Sequence, residues 1–220
     1  MSDSPYFIDR EDYERRFPFT RALGADWKRL RDEYLSVAQA RIRPWHDAHI
    51  KEGDWHACVL QFSGHRDRGN WERCPETAHL VSGIPGLVTA GFFVLAPGAH
   101  LPPHRNYPRA VYRCHLGLVI PEDCGFRVGG ETREWREGEW LVFDPNHLHE
   151  AWNRSDRFRA ILLLDVWCDP DHRPLKDRLF HWLDGHRYAL AQSPAGRAFV
   201  RFMSRRKRFR RLVNFLMGGD

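Results

Sequence analysis

The chain has 220 residues, of which 42% are hydrophobic, and this is sufficient for one substantial core. No run approaches the roughly 20 apolar residues of a membrane span, and the N-terminal sequence MSDSPYFIDREDYERRF is too charged for a signal peptide. The five cysteines are odd in number and form no Cys-x-x-Cys pair, which argues against a disulfide framework and a zinc ribbon. We therefore expect a cytoplasmic protein with reduced thiols.

The positive charge is concentrated at the C-terminal end of the chain. Residues 171–220 contain twelve Lys/Arg and four Asp, a net charge of +8, so the overall charge of +5 leaves −3 for residues 1–170. Because no basic face over the whole domain is implied, nucleic acid is not an expected partner.

The apolar pattern divides the chain into three sections. Residues 1–54 are predicted to form a helical segment packed on the core, because apolar residues between Leu23 and Ala38 recur every three or four positions. Residues 55–170 are predicted to form a β-rich core. Residues 171–220 are predicted to form a basic helical extension.

The middle section consists of short β-rich runs separated by Pro, Gly, Asn and Asp. Gly129-Gly130 predicts a two-residue hairpin turn. With no helix expected between them, the runs predict an antiparallel sandwich or barrel. They cover residues 55–62, 87–98, 109–121, 124–135, 139–145, 149–153 and 158–167.

Charged and polar residues occur inside these apolar runs. Arg113 and His115 are two residues apart, so they share one face of a strand. Arg159 begins a nearly apolar run ten residues after His149, which begins the preceding run. A buried guanidinium keeps its charge and requires an anionic partner. Arg159 therefore indicates either a structural carboxylate opposite it or a cavity for an acidic ligand.

His104 and His149 are candidate metal ligands. Imidazole suits Fe, Zn, Cu and Ni, and two histidines leave several coordination positions for other ligands. Non-haem iron oxygenases usually add a carboxylate from a His-x-Asp/Glu triplet. Here the corresponding triplet is His104-Arg105-Asn106, which has none.

Three sequence segments resemble the catalytic domain of the aspartyl/asparaginyl β-hydroxylase family of Fe(II)/2-oxoglutarate oxygenases. They are HLPPHRNYPRAVYRCHLGLVIP, ETREWREGEWLVFD and LHEAWNRSDRFRAILLLDVW, and they follow one another in the order and spacing of that family. The resemblance covers about residues 63–167. It implies a mainly β fold: a double-stranded β-helix (jelly-roll, cupin-like) core with N-terminal and C-terminal helices.

The resemblance also implies roles for individual residues. His104 and His149 would hold the iron, and Arg159 would hold the distal carboxylate of 2-oxoglutarate. Arg113 and His115 would contact the other end of this co-substrate or the product-side carboxylate.

Three further residues are candidates for the substrate pocket. The family generally has Gly where this chain has Asn106, whose side chain has three options: to bond a metal-bound water, to ligate weakly or to point away. Tyr107 and Trp152 would line the pocket, with core packing as the alternative for both.

The implied function is a dioxygenase that uses Fe(II), O2 and 2-oxoglutarate. It would hydroxylate a C–H bond of an aspartyl/asparaginyl, amino-acid or acyl-lipid substrate and release succinate and CO2. The main alternative is a cupin-like protein that binds a metal or a small acid without oxygenase activity. A halogenase, which would use the missing carboxylate position for halide, ranks lower because Asn106 would crowd that position.

Two other histidines and the C-terminal segment complete the candidates. The triplet His65-Arg66-Asp67 and His147 rank below the His104/His149 pair as ligands, because neither fits the implied motif. Residues 197–217 form a basic amphipathic sequence that is predicted to be a solvated helix, to dock on the protein or to contact an anionic membrane. If this segment contacts a membrane, the expected location is peripheral at the inner membrane surface, in addition to the cytoplasm.

Overall fold

A computed structural model describes residues 6–41, 43–44, 54–105, 110–193 and 195–196, with side chains at all of these except 39–41 and 43–44. Three of the predicted features lie outside the described residues. They are Asn106, Tyr107 and the segment 197–217.

The described chain forms twelve strands and six helices. In chain order they are β1 (Phe7–Ile8), α1 (Arg10–Arg16), α2 (Phe19–Ala25), α3 (Trp27–Arg41), β2 (Arg43–Pro44), β3 (Trp55–Phe62), β4 (His65–Arg66), α4 (Arg68–Arg73), α5 (Pro75–Ser82), β5 (Leu87–Leu95), β6 (His100–His104), β7 (Val111–Val119), β8 (Cys124–Val128), β9 (Glu131–Glu134), β10 (Trp140–Phe143), β11 (His149–Asn153), β12 (Arg159–Trp167) and α6 (Leu175–Gln192). None of these helices combines the length and the apolar content that a membrane crossing requires.

The strands form two antiparallel sheets. The larger sheet has the order β1-β10-β7-β12-β5-β3-β2, with β4 paired to β3, and the smaller sheet has the order β6-β11-β8-β9. One apolar cluster, which includes Phe93, Phe126 and Leu163, joins residues of both sheets. This confirms the prediction of a mainly β, double-stranded β-helix core with helices at both ends.

The central strand β12 explains why its sequence is apolar throughout. Leu162 and Leu164 pack in the cluster that the larger sheet shares with α1, α3 and α5. Ile161 and Leu163 pack in the cluster shared with the smaller sheet. Because both faces of the strand are covered, neither face has to be polar. Arg159 lies on the same face as Leu163, inside the two-sheet core.

The prediction that no helix interrupts the strands was wrong, because α4 and α5 lie between β4 and β5. The Asp67 carboxylate accepts a hydrogen bond from the Asn70 backbone N–H at 2.9 Å, which caps α4. Pro75 occupies the first turn of α5, where its missing N–H costs nothing.

Strand β6 was not predicted. Its sequence, His-Leu-Pro-Pro-His, contains two prolines, which cannot donate to a ladder and are tolerated at a sheet edge. β6 is indeed an edge strand of the smaller sheet. The Gly129-Gly130 turn between β8 and β9 is confirmed, with Gly129 at a φ of 55°.

Asn153 fastens the end of β11 to the larger sheet. Its side chain is fully buried, and Nδ2 donates to the backbone oxygens of Leu95, Ala96 and Arg157 at 2.7–3.1 Å. Oδ1 accepts from the Ser155 hydroxyl at 2.7 Å. Because β11 also carries His149, this amide helps to set where that histidine lies.

Replacing Asn153 with Leu should lower the free energy of unfolding by about 3 kcal/mol, because buried carbonyl groups lose their donors. Urea denaturation followed by circular dichroism measures this change. Ser155→Ala, which removes a hydroxyl at the exposed side of the same turn, is the matched control and should cost less than about 1 kcal/mol. Equal losses in the two variants would contradict the fastening role.

Candidate metal centre

His104 and His149 face each other across the smaller sheet. They end β6 and begin β11, and the antiparallel register pairs them directly. The centroids of the two imidazole rings are 4.2 Å apart. Residues 45 positions apart in the sequence are thus brought to one point by strand pairing.

Backbone hydrogen bonds define the tautomer of both rings. His104 Nδ1 lies 2.9 Å from the oxygen of Pro102, and His149 Nδ1 lies 2.8 Å from the oxygen of His147. A carbonyl oxygen only accepts, so each Nδ1 must carry the proton. When the ring is neutral, Nε2 therefore has the lone pair that a metal ion requires, which is the arrangement of metal-binding histidines generally.

Burial keeps His149 uncharged. The pKa of His149 is lowered to about 3, chiefly by burial and then by the neighbouring His104. The ring is consequently neutral at physiological pH, and a neutral imidazole is the form that ligates a metal ion.

The described residues contain no group of three or more His, Cys, Asp or Glu side chains that could hold a metal ion. The donor set of this part of the chain is therefore the two imidazoles. Such a set suits iron and leaves coordination positions for an exogenous chelating ligand.

Arg159 is a buried cation inside the core. Its side chain is 97% buried, and Nε and Nη1 have no hydrogen-bond partner among the described residues. Its guanidinium carbon lies 4.3 Å from the centre of the Trp135 ring. Burial lowers the pKa of Arg159 to about 10, so it stays charged at neutral pH. An anionic ligand would satisfy both the charge and the unbonded N–H groups.

His115 lies on the same inner surface with both ring nitrogens unbonded among the described residues. Burial, followed by the positive charges of Arg113 and Arg159, holds the pKa of His115 well below its usual value. The neutral ring has one N–H donor available for a carboxylate.

An aromatic wall connects His115 to the histidine pair. The Phe143 ring centre is 5.1 Å from that of His115 and 5.5 Å from that of His149. Phe126 contacts both histidines and also Trp135, whose ring lies under Arg159. The histidine pair and the buried cation therefore belong to one interior lined by aromatic rings.

Arg113 has a carboxylate partner within the protein. Its Nε and Nη2 donate to Asp165 Oδ1 and Oδ2 at 2.7 and 3.0 Å, a bidentate ion pair on neighbouring strands. The role of Arg113 at the co-substrate stays a prediction. The sequence did not indicate that Asp165 would be its ion-pair partner.

Comparison with known proteins decides the family. Residues 24–169 match the family model described as Aspartyl/Asparaginyl beta-hydroxylase. The chain belongs to the aspartyl/asparaginyl β-hydroxylase family. The family expected from the sequence segments is confirmed.

Two relatives show how this β-hydroxylase family member compares with named proteins. The ornithine lipid ester-linked acyl 2-hydroxylase of Rhizobium tropici is 34% identical over 76% of this chain and 62% of its own length. The human aspartyl/asparaginyl beta-hydroxylase is 34% identical over 72% of this chain and 22% of its own length. The chain thus spans less than two thirds of either relative.

Among solved structures, the protein is similar to a predicted oxalate decarboxylase from Thermotoga maritima, with 13% identity and a TM-score of 0.37 over 57% of this chain and 93% of that one. It is also similar to KdgF from Halomonas sp., with 16% identity and a TM-score of 0.35 over 56% of this chain and 86% of that one. Both TM-scores are below 0.5, so these likenesses carry no functional argument.

The side chains of the other candidates in this β-hydroxylase-family chain make their contacts elsewhere. Trp152 lies flat against Gly125 and under Arg154, on the outer face of the smaller sheet, because side chains alternate along β11. The structure therefore does not bring it to the His104/His149 pair, and its pocket role stays a prediction. His65 is exposed on β4, and the His147 ring packs against Tyr6 with centroids 5.3 Å apart.

Phe126, Trp135 and Phe143 were missed as parts of the site. Alternation along β8 and β10 could have indicated their inward direction, but the sequence does not show which inward residues surround a histidine.

The neutral His115 makes stability depend on pH. Because the pKa of His115 is lowered by folding, the unfolded chain takes up a proton below about pH 6.5 that the folded protein does not, and stability falls with falling pH. His115 should contribute a loss of about 1 kcal/mol between pH 6.5 and 5.5. Urea denaturation at both pH values should show this loss in the wild type.

In His115→Leu the pH-dependent loss should shrink by that amount, whatever the stability of the variant at pH 6.5. An identical pH dependence of the wild type and His115→Leu would contradict the assignment of a neutral buried ring.

Proposed function

We propose that the protein is an Fe(II)/2-oxoglutarate-dependent dioxygenase that hydroxylates a C–H bond of an aspartyl/asparaginyl, amino-acid or acyl-lipid substrate. The observation that carries the proposal is the combination of the paired imidazoles of His104 and His149 with the buried guanidinium of Arg159, whose Nε and Nη1 have no hydrogen-bond partner among the described residues. A divalent metal ion and a dicarboxylate are the ligands that such a combination suits.

His104 and His149 would hold Fe(II) through Nε2. The Pro102 and His147 carbonyl oxygens keep the proton on Nδ1 and fix the orientation of each ring. Iron bound there supplies the activation of O2 that oxidises the C–H bond. In the overall reaction one oxygen atom enters the substrate and the other enters succinate, while 2-oxoglutarate loses CO2.

Arg159 would bind the distal carboxylate of 2-oxoglutarate through a charge-assisted ion pair. Neutral His115 would donate one hydrogen bond to a carboxylate oxygen without adding a second charge. The aromatic side chains of Phe126, Trp135 and Phe143 exclude water from this interior, which strengthens the ion pair.

The Arg113–Asp165 ion pair would keep the inner surface in order beside the co-substrate. The Arg113 guanidinium donates two hydrogen bonds to Asp165, and Arg113 lies on the strand that also carries His115. In this arrangement the direct partner of the co-substrate's carboxylate is Arg159, whose N–H groups have no protein acceptor among the described residues.

The metal-binding proposal is tested by anaerobic titration of the protein with Fe(II) and 2-oxoglutarate. The wild type should give a weak visible charge-transfer band that His149→Ala lacks. Arg159→Ala should retain iron but bind 2-oxoglutarate about 10- to 100-fold more weakly, because the charge-assisted hydrogen bonds are lost.

The matched control is His147→Ala. It removes a neighbouring imidazole but keeps the backbone oxygen that accepts from His149 Nδ1, so its band should equal that of the wild type. A band that persists in His149→Ala, or that disappears in His147→Ala, would overturn the ligand assignment.

The substrate class is tested by incubating the protein with Fe(II), O2 and 2-oxoglutarate and with cell extracts separated into lipids, peptides and amino acids. Mass spectrometry should find products that gain one oxygen atom in one of these fractions, with succinate formed in equal amount. Tight metal binding with neither succinate nor any oxygenated product would favour a cupin-like binding protein instead.

A further inference from the structure

Helix α6 carries its apolar side chains outward. Eight large apolar side chains are exposed in the described residues, and five of them belong to this helix: Leu175, Leu179, Trp182, Leu183 and Leu190. With about 100° of rotation per residue, these positions fall in one stripe along the helix, called the α6 stripe below. A surface helix ordinarily buries such a stripe against its own core.

The side of α6 that faces the protein carries polar side chains and one tyrosine instead. His181 Nδ1 lies 3.3 Å from the Ser63 hydroxyl, which donates to Asp184 at 2.9 Å. Tyr188 packs against Phe62, with ring centroids 5.0 Å apart. Because these contacts fix the rotation of the helix, the α6 stripe cannot turn toward the core without breaking them.

Cations border the stripe on both sides. Lys176 and Arg187 follow one edge of it and Arg178 lies on the other edge, and all three are exposed. The two aspartates of the helix face the protein, since Asp177 is buried and Asp184 accepts from Ser63. The outward surface is therefore apolar along its middle, apart from His186 beside Trp182, and cationic along its edges.

We propose that the α6 stripe and its three bordering cations dock on the surface of an anionic lipid bilayer. The leucines and Trp182 enter the boundary between headgroups and acyl chains, and the cations lie beside the lipid phosphates. The sequence beyond α6 has the same character, with eight Lys/Arg between positions 197 and 211 among aromatic and aliphatic residues. That segment lies outside the described residues, whereas the α6 stripe is within them.

Two other occupants fit the charges less well. A second copy of the protein would bring two sets of Lys176, Arg178 and Arg187 together, and the segment 197–217 would place its own cations against them. Like charges in such a contact repel each other. An anionic bilayer neutralises them, which is why the charge pattern favours lipid.

The test is sedimentation of the full-length protein with vesicles of phosphatidylcholine, alone and mixed with phosphatidylglycerol. The wild type should bind the mixed vesicles, and Leu179→Gln/Leu183→Gln should bind them about tenfold more weakly because the inserted apolar area is lost. Arg178→Gln/Arg187→Gln should also bind about tenfold more weakly.

Leu35→Gln is the matched control, because Leu35 on α3 is 52% exposed and Leu179 is 55% exposed. Its vesicle binding should equal that of the wild type, and thermal unfolding checks that all variants are folded. Vesicles with brominated acyl chains should quench part of the tryptophan emission, and Trp182→Phe should lose that part.

Equal vesicle binding by the wild type and Leu179→Gln/Leu183→Gln would overturn the proposal. A concentration-dependent dimer that this variant abolishes, with vesicle binding unchanged, would assign the stripe to a second copy instead. The measurements use neither iron nor 2-oxoglutarate, so their outcome is independent of the proposed catalytic function.

Discussion

The charge of Arg159 is the constraint around which the interior is organised. A guanidinium stays protonated when it is buried, so its surroundings must either supply an anion or admit one. Among the described residues on this inner face, Asp165 is the one carboxylate within hydrogen-bonding distance of an arginine. Arg113 holds it in a bidentate ion pair. Arg159 is left with the Trp135 ring beside it, and its Nε and Nη1 have no acceptor among the described residues, which is why we propose that a ligand completes its surroundings.

The two sheets supply different residues of the candidate site. The larger sheet supplies Arg159, His115 and the Arg113–Asp165 pair from two adjacent strands, and its other face is covered by helices. The smaller sheet supplies the two paired histidines. Because the sheets share one apolar cluster, a change that shifts one sheet against the other would separate the histidine pair from the buried cation. Asn153 is important for this reason, since it joins the end of β11 to the larger sheet.

Helix α6 differs from the core because it leaves large apolar side chains exposed. Its inward side is held by polar contacts to Ser63, and its apolar residues are left at the surface. Folding of the described chain alone gives no reason for that orientation, whereas contact with an amphiphilic surface does. The β core and this outer helix therefore differ in what they leave unsatisfied: the core has a buried cation, and the helix has exposed apolar side chains.

Much of this protein is determined by local sequence. Alternation, turn residues and apolar runs predicted β3 and β11 with their observed bounds, the Gly129-Gly130 hairpin and the inward direction of Arg113, His115 and Arg159. Strand β6 escaped prediction because its two prolines oppose a strand locally, and pairing with β11 overrides them. Helices α4 and α5 were not predicted, because both are short and their apolar pattern by itself is a weak signal for a helix.

Only the tertiary structure decided which polar residues meet. The sequence indicated that Arg113 and Arg159 lie in apolar strands. It could not show that Asp165 would bind Arg113, while Arg159 Nε and Nη1 have no acceptor among the described residues. Likewise, a helical period fixed the α6 stripe, while its outward direction depends on contacts with Ser63 and Phe62 more than one hundred positions away. Side-chain direction along a strand or helix is a local property of the backbone, whereas the choice of partner depends on the register between segments that are distant in the sequence.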